Sequence, residues 1–158
     1  MGFNTTDGKF YIVELYPPFN RLELQFMPEN LTWSRNARLS NIAVVGRNND
    51  LLQYTGGEDK LTFDIDFYSD EENRRDVMRK VNFLKSLAMS DGGFGAARNF
   101  KIVMGKFFTT EVWSMNSVVS TYSNYHQLYD YLPVRASVKL TMTLDPKYNR
   151  RIRDVRKR

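Results

Sequence analysis

Apolar residues recur along this chain at two spacings, and the change between them divides it into strands and one helix. Leu22, Leu24 and Phe26 alternate with Glu23 and Gln25, and Leu61, Phe63, Ile65 and Phe67 alternate with Thr62, Asp64 and Asp66. Near the end, Val134, Ala136, Val138, Leu140, Met142 and Leu144 alternate with Arg135, Ser137, Lys139, Thr141 and Thr143. Successive strand side chains point to opposite faces, so each run predicts a strand with one dry and one wet side. Between the second run and the third, Val77, Val81, Leu84 and Ala88 recur at helical spacing. Ser69 stands three residues before Glu72, a capping-box pattern with acids in the first turn. One helix is predicted from about Glu71 to Met89, closed by Asp91-Gly92-Gly93, where glycine can adopt the left-handed conformation.

Shorter apolar runs predict further strands at Phe10 to Leu15, Ile42 to Val45, Phe100 to Met104 and Val112 to Tyr122. Tyr16-Pro17-Pro18 and Met27-Pro28-Glu29-Asn30 punctuate them, because proline lacks the backbone donor a central strand needs. The polar stretch Thr32 to Ser40 around Trp33 reads as a loop, and Gly56-Gly57 as turn chemistry leading into the Leu61 strand. Strand-helix alternation is scarce, which favours antiparallel pairing. The expected class is therefore mainly β with one helix, an antiparallel sheet packed on one face by that helix. Such a sheet leaves edges open, and joining strands across subunits into a ring is one way to bury them.

At 158 residues, 42% hydrophobic and 14% aromatic, the chain has enough apolar material for one folded domain and no run long enough for a membrane helix. Met1 to Gly8 lacks a basic start followed by an apolar stretch, so no export signal is expected. Without cysteine there is no disulfide, thiolate metal site or cysteine nucleophile, which suits assembly in a reducing cytoplasm. The net charge of +5 resides in Asp145 to Arg158, where seven basic residues face only Asp145 and Asp154. Positions 1–144 are neutral and are read as the β domain; 145–158 are read as a basic tail.

Candidate chemistry is sparse. His126, the only histidine, lies among tyrosines with no serine elbow motif nearby, and reads as a residue that hydrogen-bonds locally. Asp64 and Asp66 share one strand face and could act as paired carboxylates, but the wet face of an amphipathic strand explains them without a metal. Asp70-Glu71-Glu72 suits a helix start. Gly92, Gly93 and Gly95 follow a helix, whereas a phosphate-cradling loop opens one, and Gly56-Gly57 has no lysine-threonine pair after it. Phe107, Phe108, Trp113, Tyr122, Tyr125, Tyr129 and Tyr131 would suit base stacking, yet only Lys106 and Arg135 lie close, so packing is the preferred reading. No catalytic residue, cofactor or metal is expected, and the chain is not expected to be an enzyme. The basic residues Arg150, Arg151, Arg153, Arg156, Lys157 and Arg158 suit a solvated arm that straps onto an acidic partner surface; alone they would bind nucleic acid weakly and with strong salt dependence.

Several segments, in order, resemble one family. Leu22-Glu23-Leu24-Gln25-Phe26-Met27-Pro28-Glu29-Asn30-Leu31-Thr32-Trp33 looks like its opening strand with a phenylalanine-x-proline turn. Val45-Gly46-Arg47, Leu51-Leu52-Gln53-Tyr54-Thr55-Gly56-Gly57-Glu58 and Leu61 to Phe67 are similar to segments of contractile injection system tube and phage baseplate-hub proteins, and Asn116-Ser117-Val118-Val119 stands where the family has its last hairpin. The resemblance covers roughly Arg21 to Leu144. It implies a tube-type β-barrel or sandwich in which subunits, usually six, join their sheets around a lumen. The implied role is virion structural protein, a tail-tube initiator or hub adaptor assembled in the host cytoplasm. Its partners would be copies of itself, tail tube and hub or spike proteins, with DNA only passing through. Asp64 and Asp66 would then line the lumen or another wet face. Many members carry a LysM module after this domain; here the basic tail follows, so wall binding is not carried over. A non-enzymatic module for a small ligand or nucleic acid is the alternative.

Overall fold

The computed structural model describes residues 10–89, 98–108, 111–128 and 130–145. Alternating residues build strands and the helically spaced ones build a helix, in the order β1 (Phe10–Glu14), β2 (Arg21–Glu23), β3 (Leu31–Ile42), β4 (Leu51–Tyr68), α1 (Asp76–Leu87), β5 (Asn99–Met104), β6 (Val112–Tyr125) and β7 (Pro133–Leu144). The strands form one sheet in the order β2-β1-β5-β6-β7-β4-β3, with every neighbouring pair antiparallel. The mainly-β class with a single helix is thus the observed one. The outermost strands β2 and β3 do not pair with each other, so the sheet of one chain is open and not a closed barrel. It nevertheless curls, bringing Phe10 of β1 against Phe63 of β4 with ring centroids 5.6 Å apart.

The dry face is the one the alternation predicts. Leu61, Phe63, Ile65 and Phe67 of β4 and Ala136, Val138, Leu140 and Met142 of β7 are buried in one cluster with Val77, Val81, Leu84 and Leu87 of α1. Burying each large side chain is worth about 1.5–3 kcal/mol, so this contact is the main source of cohesion. Trp33 stacks on Phe108 at 5.8 Å and meets Trp113 edge-on at 5.3 Å, closing the core near the root of β3.

Several elements differ from the sequence reading. The stretch read as a loop, Thr32 to Ser40, lies within the twelve-residue strand β3. It forms an edge whose outer part is exposed on both sides, so it has no dry face to create an alternating pattern. β4 begins at Leu51 and runs through Gly56-Gly57, which sit beside a bulge opposite Arg38 and Leu39 instead of in a turn. Gly56 takes φ +135°, which only glycine adopts without strain. Of the run Ile42 to Val45, only Ile42 belongs to a strand. β2 stops at Glu23, although Leu24 is still buried and donates from its backbone nitrogen to Phe10 O at 2.9 Å.

The helix starts at Asp76, later than the capping pattern implies. The Ser69 hydroxyl lies 3.3 Å from Pro133 O and 3.4 Å from Val134 O, while Asp70 Oδ1 accepts from Asn73 N at 2.8 Å. These bonds hold residues 70–75 in turns and leave Arg75 at the N-cap without a side-chain cap. The glycines expected to close the helix lie outside the described residues.

Candidate assembly surfaces

The strands are staggered, and the stagger leaves two lengths of strand without a neighbour. β5 pairs with β6 only at Val112, Trp113 and Ser114. Beyond Ser114, β6 has β7 on one side and no strand on the other among the described residues. Ser114 to Tyr125 contains no charged residue and no proline, and Val119 on it is 56% exposed. Natural edges are usually blunted by charge, proline or shortness, because a free row of N–H and C=O groups is a template for another strand. β2 fits that rule with three residues; this stretch of β6 does not.

The second unpaired length is on β4. The β4–β7 ladder runs from Tyr68 opposite Arg135 to Lys60 opposite Thr143, whereas β3 and β4 continue together to Ile42 opposite Leu51. A two-stranded arm, Arg35 to Ile42 with Leu51 to Asp59, therefore extends past the sheet. Its root is pinned: Arg35 Nη1 lies 3.1 Å from Asp59 Oδ1, and Arg35 Nη2 donates to the Tyr54 hydroxyl at 3.4 Å. The Tyr54 hydroxyl first, and the Asp59 carboxylate next, push the Arg35 guanidinium above its ordinary value. Beyond the bulge, Leu39 faces Tyr54 and Ile42 faces Leu51, and these four with Val45 and Leu52 are exposed. An isolated two-stranded ribbon is marginal in water, and here it shows solvent an apolar tip. The outer edge, β3, carries Arg35 and Arg38, but Leu51 to Gly57 on the inner edge carries no charge.

Asp64 and Asp66 lie on the wet side of β4, opposite Lys139 and Ser137 of β7. Asp66 Oδ2 accepts from Arg135 Nη2 at 3.2 Å, while its Oδ1 is buried with no partner. Asp64 is exposed. Among the described residues no group of three or more potential ligands could hold a metal, and no helix is long and apolar enough to cross a membrane.

His126 Nε2 sits 3.3 Å from the Ser69 hydroxyl, a nucleophile-and-base pairing that the sequence separation of the two residues hides. The hydroxyl has the carbonyls of Pro133 and Val134 within reach, and among the described residues no carboxylate bonds to His126 to orient it. The pair joins the end of β4 to the end of β6 and, among the described residues, lacks the third group a triad requires.

Three of the aromatics considered for stacking are turned to packing: Trp113 and Phe108 are core, and Tyr122 is half-buried with its hydroxyl 3.4 Å from Lys85 Nζ. Phe107, Tyr125 and Tyr131 are exposed. Tyr129, Gly92, Gly93, Gly95 and the tail residues Arg150, Arg151, Arg153, Arg156, Lys157 and Arg158 lie outside the described residues. Asp145, where the tail reading begins, is only 7% exposed: its nitrogen donates to Val112 O at 2.9 Å and its carboxylate accepts from Asn99 Nδ2 at 2.8 Å.

No protein-family model matches the chain, and no curated protein matches it. Among solved structures it is similar to a chain in the virion of a native gene transfer agent particle, at 15% identity and TM-score 0.39, covering 85% of this chain and 90% of that one. It is similar to a chain in the tail of an empty gene transfer agent particle with C6 symmetry, at 14% identity and TM-score 0.41, with the same coverage. A third likeness is to a chain in the six-fold symmetrised baseplate of the anti-feeding prophage, at 8% identity and TM-score 0.44, covering 92% of this chain and 94% of that one. Likeness at this level assigns no role to the chain.

Proposed function

We propose that this chain is a non-catalytic structural component of a contractile phage tail or injection machine, in which copies join edge to edge into a ring that initiates the tail tube or connects it to the baseplate hub. The observation that carries this reading is the presence, on one chain, of two uncharged open strand edges, Leu51 to Gly57 on the arm and the part of β6 beyond Ser114. Laid side by side between copies, they extend the sheet from one subunit into the next and cover the apolar arm. The two edges differ, so the contact is head-to-tail, and head-to-tail contacts close into rings when the rotation allows. The ordered segments that resemble tube and hub proteins supply the setting.

Size-exclusion chromatography with light scattering, at low and high salt, tests the proposal. The wild-type chain should assemble in a concentration-dependent manner, because strand pairing and apolar cover survive salt. Val119→Lys on β6 and Leu52→Asp on the arm should each yield monomers with unchanged circular dichroism. A wild type that stays monomeric at every concentration, or variants that assemble as it does, would sink the reading.

A further inference from the structure

Beyond Phe63, β4 has no β3 residue beside it, since β3 begins at Leu31 opposite that position. The Gln25 side chain takes the far end of this gap: its amide nitrogen donates to Tyr68 O at 3.0 Å, and its oxygen accepts from Tyr68 N at 2.8 Å. Between the two lies a groove of about 670 Å³. Phe26 and Tyr68, edge to face at 5.5 Å, and Met27 give it an apolar wall. Glu29, Asp64 and Asp66 give it three carboxylates, and Arg135 stands at one side, bonded to Asp66 at 3.2 Å and over the Tyr68 ring at 5.2 Å. Asp66 Oδ2 is taken by Arg135 and its Oδ1 is buried, whereas Glu29 and Asp64 are exposed. The exposed Phe26 ring beside the exposed Glu29 and Asp64 carboxylates suits guanidinium groups, which stack on rings and fork onto carboxylates, and the edge gap suits an extended segment.

We infer that this groove receives the chain's own arginine-rich C-terminal segment, with Arg151 and Arg153 on the acids and Ile152 toward the apolar wall. Charge and length both favour this occupant. Residues 146–158 hold seven cations and a single acid, Asp154. Asp145 is held beside β5 and β6. Asp66 lies opposite Ser137 on β7, so a strand rise of about 3.3 Å per residue puts its level about 26 Å from Asp145. An extended chain of the length of 146–158 reaches about 43–47 Å, and the stretch around Arg151 to Arg153 arrives at the distance of the groove. A tethered segment also meets its site at an effective concentration on the order of millimolar, which favours the same chain over a neighbour in dilute solution. This inference is independent of ring formation.

The absence of native cysteine makes a cross-linking test clean. Asn30→Cys at the groove and Ile152→Cys in the tail are introduced into the full chain carrying Val119→Lys, so that assembly does not contribute. The control pair is Gln127→Cys with Ile152→Cys. Under mild oxidation at micromolar protein, the groove pair should form an intrachain disulfide about tenfold faster than the control pair, through the higher effective concentration. Glu29→Gln with Asp64→Asn, or about 1 M salt, should bring the rate down to the control, because exposed charges are screened. A groove pair no faster than the control, disulfides only between chains, or a rate indifferent to both salt and the acid substitutions would each overturn the inference.

Discussion

Leu140→Ala tests the core beneath the helix most directly. Leu140 is 0% exposed, sits between Phe63 of β4 and Val118 of β6, and belongs to the cluster that also holds Val77, Val81 and Leu84. With strands on both sides and a helix above, the site has little room to collapse, so the substitution leaves much of its volume empty. The expected loss is about 2–5 kcal/mol, combining lost transfer energy with a cavity. At this chain length each kcal/mol moves the melting temperature by about 2–4 °C, so a drop of about 4–20 °C should follow. Urea denaturation should show a lower midpoint with an unchanged slope. The neighbouring Lys139 is exposed, and Lys139→Ala should stay within about 0.5 kcal/mol of wild type. Both variants belong in dilute solution, where association does not add to apparent stability. A Leu140→Ala loss below about 1 kcal/mol, or equal losses for the two variants, would mean that the dry and wet faces of β7 are assigned backwards.

Further tests address the surfaces. Asp64→Asn with Asp66→Asn should leave melting within about 1 kcal/mol of wild type and assembly intact, because Asp64 is exposed and the Asp66–Arg135 pair is only partly buried; loss of folding would show that the acids are structural. Gly56→Ala places a side chain at φ +135° and should loosen the arm by about 1–3 kcal/mol, seen as faster hydrogen exchange at Leu39 and Tyr54 with little change at Leu140; unchanged exchange there would remove the bulge from the account. Glu14 is buried and bonded to Arg98, so Glu14→Gln should cost about 1–3 kcal/mol in denaturant titrations, and a neutral result would show the pair to be dispensable.

Strands with one dry face were legible in the sequence, because burial on one side imposes alternation. Phe63, Ile65, Val138 and Leu140 stand where that pattern puts them. The arm was not legible for the same reason in reverse: Arg35 to Ile42 has no buried face, so nothing forces a period on it, and two glycines that read as a turn accommodate a bulge. The helix start was misplaced because Ser69 turns its hydroxyl toward the β7 entry and His126, contacts that no local pattern records. The position of Asp64 and Asp66 opposite the dry residues of β4 follows from the same alternation, while the open part of β6 was recognised only as an apolar run. Its lack of charge was visible; its lack of a neighbour depends on where β5 stops.

The stagger of the sheet also sets a kinetic limit on the free subunit. An uncharged edge has no repulsive element with which to refuse a wrong strand, so an unassembled chain is exposed to misassembly for as long as it stays unassembled. Soluble yield should then depend on how fast correct neighbours arrive, and slow expression without partners should favour precipitate over rings. Lysine at Val119 should raise the yield of soluble monomer under the same conditions, trading the capacity to assemble for persistence in solution.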